Sequence, residues 1–374
     1  MPPAPSPLLT LLSLAIMGGI GAILTIGPWV WYVVIRRVYR GESVLEHEPR
    51  QLATWGFVDI VVFVVIWIGM AVAIGGGIGA VTGINLFAKA EATDNTVRLY
   101  LMFIDSVARL VSMAVVGLFI MVRTRCSLRD IGFSLADLPG DLRLGALAFC
   151  ALAIPTFGLQ AVLTQFWKSE HPLIESLKLE PDLQFLAIAM FAAVIAAPLA
   201  EEFGFRVLFQ GWLEKMFDPA AAVRPNFGVS LFIGEPADSD NQEPLLAQLN
   251  PSAETAYVEP EIIDLSVARP DAPSNPYQAP VVGEIASPAS PVPAPLIPRW
   301  IVDFLSIAIS ALVFSIVHYS HGPDWLSLIG LSLGIGYLYR RTHRITPGLV
   351  VHFLLNLLSM LGLCLMIYGE QMPK

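Results

Sequence analysis

Three short clusters place ionisable side chains in otherwise apolar runs, where such a group marks a functional site or a buried pair. The first is Ala197-Pro-Leu-Ala-Glu201-Glu202-Phe-Gly-Phe-Arg206, following the apolar residues 183–200. On a helix Glu202 and Arg206 lie one turn apart and can pair. Glu201 then points about 100° away from Glu202, toward something else. Pro198 removes a backbone donor one turn upstream and opens the helix there. The second cluster is Phe314-Ser-Ile-Val-His318, and the third is His352-Phe-Leu-Leu-Asn356, early in the last apolar run. Taken singly, each is explained by packing, as a buried Glu–Arg pair or a hydrogen-bonded histidine. Together they supply a carboxylate, two imidazoles and a carboxamide, the parts for activating and positioning one water. A carboxylate or imidazole takes the proton, and imidazole N–H and amide donors stabilise an oxyanion. Glu201, His318 and His352 are equally competent ligands for a divalent metal such as zinc. The residue types leave both chemistries open.

Membrane helices must hold these groups. The 374 residues are 55% hydrophobic and only 14% charged, against about 25% charged in a soluble domain, and the mean hydropathy is +0.65. That composition excludes a cytosolic globular enzyme, a secreted disulfide scaffold and a wholly disordered protein. It predicts an all-α polytopic transmembrane bundle. A crossing helix takes about 20 apolar residues, and suitable runs lie near 8–35, 56–84, 97–122, 142–167, 183–217, 299–319, 325–339 and 346–368, about eight spans. No Lys or Arg precedes Arg36, so the first run reads as a retained span rather than a signal peptide. The run 325–339 covers roughly 22 Å, short of a ~30 Å hydrocarbon core. The turn 319–324 is therefore expected within the membrane, shielded by protein, with His318 at mid-depth. Glycines at four-residue spacing (Gly75, Gly79, Gly83, and Gly330, Gly334) suggest close helix packing. Cys126, Cys150 and Cys364 read as small buried hydrophobes, since their spacing fits neither a zinc site nor a disulfide framework.

Residues 218–298 hold eleven acidic side chains and two arginines, the whole net charge of −9. The rest of the chain balances, and without a basic stripe no nucleic-acid partner is expected. Fifteen prolines in these 81 residues predict a disordered acidic insert. Within it the apolar patch Phe227–Ile233 and the run 275–280 read as linker. Arginines gather at 36–50, 123–129 and 340–344. These loops share one side if the N-terminus lies outside, which places the insert in the cytoplasm of a plasma (inner) membrane protein. The organisation expected is four motif-free N-terminal helices over 1–182, a motif-bearing core over 183–217 and 299–368, and the insert 218–298.

The three clusters, in this order, resemble the CPBP family: the type II CAAX prenyl endopeptidases and their bacterial relatives, including bacteriocin-processing and immunity proteins. The family pattern is EExxxR, FxxxH, then HxxxN or HxxxD, here Glu201-Glu202…Arg206, Phe314…His318 and His352…Asn356. The glycine-rich segment 330–342 is similar to the helix that the family places between its second and third motifs. Two departures stand out: Val207 replaces the usual glycine after the motif arginine, and the long insert replaces a short connection. The resemblance implies an intramembrane endopeptidase acting near the cytoplasmic membrane face on a membrane protein or lipidated peptide. It makes Glu201 the general base and lets His318 share its water. His352 and Asn356 become an oxyanion-stabilising pair, supported by Glu202 and Arg206. Two rivals are a catalytically idle immunity or scaffold protein and a small proton-coupled transporter. A transporter would more often show inverted repeats, and this chain shows no internal symmetry.

Overall fold

The computed structural model describes residues 7–48, 52–84, 86, 95–167, 183–222, 224, 226–237, 299–319 and 322–370. The described residues are helical throughout, joined by turns and irregular connections. Four helices come first: α1 (Pro7–Tyr39), α2 (Phe57–Thr82), α3 (Asn95–Thr124) and α4 (Leu138–Phe166). One continuous helix, α5, then runs over Leu183–Phe217, followed by the short α6 (Pro219–Ala222) and α7 (Phe227–Ile233). The last three are α8 (Arg299–Val317), α9 (Trp325–Thr342) and α10 (Thr346–Glu370). Seven of these helices, α1 to α5, α8 and α10, are long and apolar enough to cross a membrane. The chain is a multi-pass membrane protein.

The eighth expected span, 325–339, is helical but is not among the seven. At 18 residues it is about 27 Å long, and it ends in Arg340 and Arg341. It pairs with α8 as a hairpin: Arg340 Nε donates to Asp303 Oδ1 at 3.2 Å, so the end of α9 returns to the start of α8. The hairpin tip, at His318, lies beside Glu201, which is the middle of α5. The turn after His318 therefore stops half-way along the longest helix.

Two cores organise the helices. In one, Phe63 of α2, Val116 and Ile120 of α3, and Ala200, Phe203 and Val207 of α5 are buried together around Trp55. In the other, Ile23 of α1, Phe149 and Ala153 of α4, Ile335 of α9, and Val351 and Leu355 of α10 pack together. Of the spaced glycines, Gly334 meets Leu152 of α4, where a Cβ would lie 2.5 Å from Cδ2, while Gly330 faces open space. Gly83 is the left-handed C-cap of α2 (φ +74°), a conformation that favours glycine. All three cysteines are free and buried.

The linker reading fails for the first part of the insert. Phe227–Ile233 forms α7, whose Phe232 stacks with Phe57 at the start of α2 (6.3 Å between centroids). Trp212 Nε1 donates to Leu231 O at 3.0 Å. Lys215, buried at the end of α5, donates to Ser230 O at 3.2 Å and pairs with Glu235 at 3.5 Å. Arg123 reaches both Asp59 and the Ile233 carbonyl. Backbone donors of Glu235 and Ala237 bond Thr54 O and Thr124 O, each at 2.8 Å. A seven-residue apolar patch supplies enough surface to dock once buried polar anchors fix its ends. The disorder expected of residues 238–298 lies outside the described residues.

Candidate active site

The clusters are assembled by α5, α8 and α10, and α3 adds a fourth wall. Within α5 the stretches Phe191–Ala196 and Phe203–Gln210 are wound wide, as π-helix, on either side of the α-helical Ala197–Glu202. Such stretches concentrate at functional sites. They set the direction in which Glu201 and Glu202 leave the helix.

Glu202 and Arg206 form the buried pair that their spacing predicts. Arg206 Nε donates to Glu202 Oε2 at 3.2 Å, and its other two nitrogens donate to Ser310 Oγ at 3.1 Å and Ser332 Oγ at 2.6 Å. One guanidinium thus ties α5 to α8 and α9. Glu202 Oε1 accepts from His352 Nδ1 at 3.0 Å. Close approach of α10 depends on Gly348, where a Cβ would lie 3.2 Å from Glu202 Oε2 and 2.8 Å from Ile335 Cγ2.

Phe314 explains the aromatic residue of its cluster. It is buried with its ring 4.7 Å from His318, 5.9 Å from His352 and 5.4 Å from the Arg206 guanidinium. Its carbonyl lies 2.8 Å from His318 Nδ1. Only a ring N–H can approach a carbonyl oxygen so closely, so His318 carries a proton on Nδ1, and His352 does so toward Glu202 by the same argument. Each ring therefore presents Nε2 to Glu201. The distances from Glu201 Oε2 are 3.7 Å to His318 and 3.8 Å to His352. Two ring nitrogens, one just past the end of α8 and one on α10, converge on one carboxylate oxygen of α5.

The other oxygen is held from α3. Arg109 Nη1 donates to Glu201 Oε1 at 3.0 Å, and Arg109 Nε donates to Asp105 Oδ2 at 2.8 Å. Trp67 Nε1 donates to Asp105 Oδ1 at 2.9 Å, and the Arg109 guanidinium stacks 4.6 Å over the Trp67 ring. Sequence reasoning missed this wall, having found no motif in the first four helices. Asn356 sits one turn beyond His352, yet its amide donates to Ala193 O in the upstream π-helical stretch at 2.7 Å. The structure thus brings Glu201, Glu202, Arg206, His318 and His352 together and engages Asn356 at the backbone of α5.

Side-chain exposure is graded: 0% and 1% at Glu202 and Arg206, 7% at His352, 13% at Glu201, 16% at His318 and 24% at Arg109. The ion pair is sealed, whereas Glu201 and its imidazoles can be reached. The donor types suit zinc, but among the described residues no group of three or more His, Cys, Asp or Glu side chains is arranged to hold a metal ion. Ligand atoms about 2.0–2.2 Å from a tetrahedral zinc lie only about 3.3–3.6 Å apart, closer than these, and Arg109 already neutralises the carboxylate. The expected metal set does not fit as it stands.

A family model, described as type II CAAX prenyl endopeptidase Rce1-like, matches residues 292–358, so this stretch is similar to such a domain. The match agrees with the CPBP resemblance and takes in Phe314, His318, His352 and Asn356. Glu201, Glu202 and Arg206 lie outside it. No curated protein and no solved structure matches the chain.

Proposed function

We propose that the chain is an intramembrane endopeptidase that hydrolyses a peptide bond of a membrane-embedded or lipidated substrate near the cytoplasmic face of the plasma membrane. The observation that carries this reading is the convergence of His318 Nε2 and His352 Nε2 on Glu201 Oε2 at 3.7 and 3.8 Å. That spacing is too long for direct hydrogen bonds and suits one bridging water. Glu201 takes a proton from this water, and the hydroxide attacks the peptide carbonyl carbon. His352, held at Nδ1 by Glu202 behind it, turns its Nε2 toward the oxyanion. Glu201 then returns its proton to the leaving amine, and His318 holds the water in line. General-base and oxyanion contributions of this kind are each worth about 10²–10⁴-fold. Arg109 orients Glu201 so that Oε2, and not Oε1, faces the water. The arginine-rich loops that favour this orientation meet at one end: Glu48 N bonds Arg341 O, and Ile345 N bonds Gly132 O, both at 2.9 Å. The test compares membrane proteomes of cells carrying the wild-type chain and Glu201→Gln. An uncleaved precursor should accumulate only in the variant, and its absence would overturn the reading.

A further inference from the structure

We propose that Asn356 is a positioning residue whose amide replaces the backbone N–H that Pro198 lacks, holding open the wide turn of α5 that aims Glu201. In the π-helical stretch Phe191–Ala196 a carbonyl receives the N–H five residues on, as Ala197 N–H bonds Ala192 O. The next pair in that register is residue 198 to Ala193, and a proline has no N–H to give. Asn356 Nδ2 donates to that same Ala193 oxygen at 2.7 Å. Only the NH2 end of a carboxamide can meet a carbonyl, so the direction of the group is fixed.

Without Asn356 the Ala193 carbonyl would be an unpaired acceptor among apolar helices. Its nearest remedy is the N–H of Ala197, four residues on, which returns the turn to α-helical winding. That change removes the extra residue from the turn and rotates everything beyond it by about 100°. Glu201 lies eight residues beyond Ala193, so its carboxylate would leave the two imidazoles. The amide thus acts on the reaction through the register of α5.

The kinetic part of this inference rests on the protease reading, while the structural part does not. The test is a double-mutant cycle in the full chain, purified in detergent and reconstituted in vesicles. Turnover is read on the precursor that accumulates in Glu201→Gln membranes, and stability is read as Tm. Asn356→Ala should lower kcat about tenfold or more with KM little changed, and should lower Tm. Pro198→Ala, which supplies the missing N–H, should restore most of both when added to Asn356→Ala. Recovery of Tm without recovery of kcat would mean that Asn356 acts on the substrate, and would overturn the positioning role. Failure to recover Tm would overturn the replacement itself. If Asn356→Ala yields no folded protein, rescue of folded yield by Pro198→Ala is the readout, and a double variant that also fails counts against the proposal. If no precursor accumulates in Glu201→Gln membranes, the protease reading alone is sunk, leaving the Tm cycle to decide the clamp.

Discussion

Glu201 and Glu202 are chain neighbours with different surroundings, and their variants should separate accordingly. Glu202 is sealed against Arg206 and His352, so removing its partner strands a buried charge. Arg206→Ala should cost about 3–5 kcal/mol, seen as a lower Tm and a poor yield of folded protein. Glu201→Gln keeps shape and volume, so it should melt near the wild type while turnover falls about 10²–10⁴-fold. Identical behaviour of the two variants would show that this division of roles is wrong. Arg109→Gln leaves the carboxylate free to rotate, and kcat should fall about tenfold or more, with Arg109→Lys recovering part of the loss. Helical spacing alone made the Glu202–Arg206 pair legible. Asp105 and Arg109 carry the same four-residue signature inside the apolar run 97–122 and were open to the same rule. What the sequence could not show was their target, because 92 residues separate Arg109 from Glu201.

At the scale of helices, the shortness of α9 was legible from the distance between the turn and Arg340. It led directly to a hairpin ending half-way along α5. The two wide-wound stretches were only partly legible: Pro198 signals an opened helix, but the register of the opening depends on Asn356 from another helix. The docking of α7 was hidden by composition, since fifteen prolines and eleven acids dominate a window that contains one seven-residue apolar patch. The insert should therefore divide at Ala237. Replacing residues 239–297 with a short Gly/Ser linker should leave a membrane-inserted helical protein of near-normal Tm. Replacing 228–292 removes α7 and the Glu235 partner of Lys215, and it should lower Tm clearly. Equal effects of the two replacements in thermal melts would contradict the anchoring role of α7.

Across the whole molecule, one core takes in α5 and the other lies among α1, α4, α9 and α10, while the middle of α5 faces α3, α8 and α10. Because the native cysteines are free and buried, introduced thiols can report sidedness over a low background. Glu46→Cys and Arg129→Cys, both exposed at the arginine-rich end, should react with an impermeant maleimide only in inside-out vesicles. Thr82→Cys, at the other end of α2, should react only in right-side-out ones. The opposite pattern would invert the membrane orientation proposed above. Lys215 is the only lysine among the described residues, and its side chain is 1% exposed beneath α7. An acylating reagent can reach that amine only during excursions that lift α7. The rate at which a covalent footprint appears at this single position is therefore a clock for opening at the arginine-rich mouth, readable by mass spectrometry without any substrate in hand.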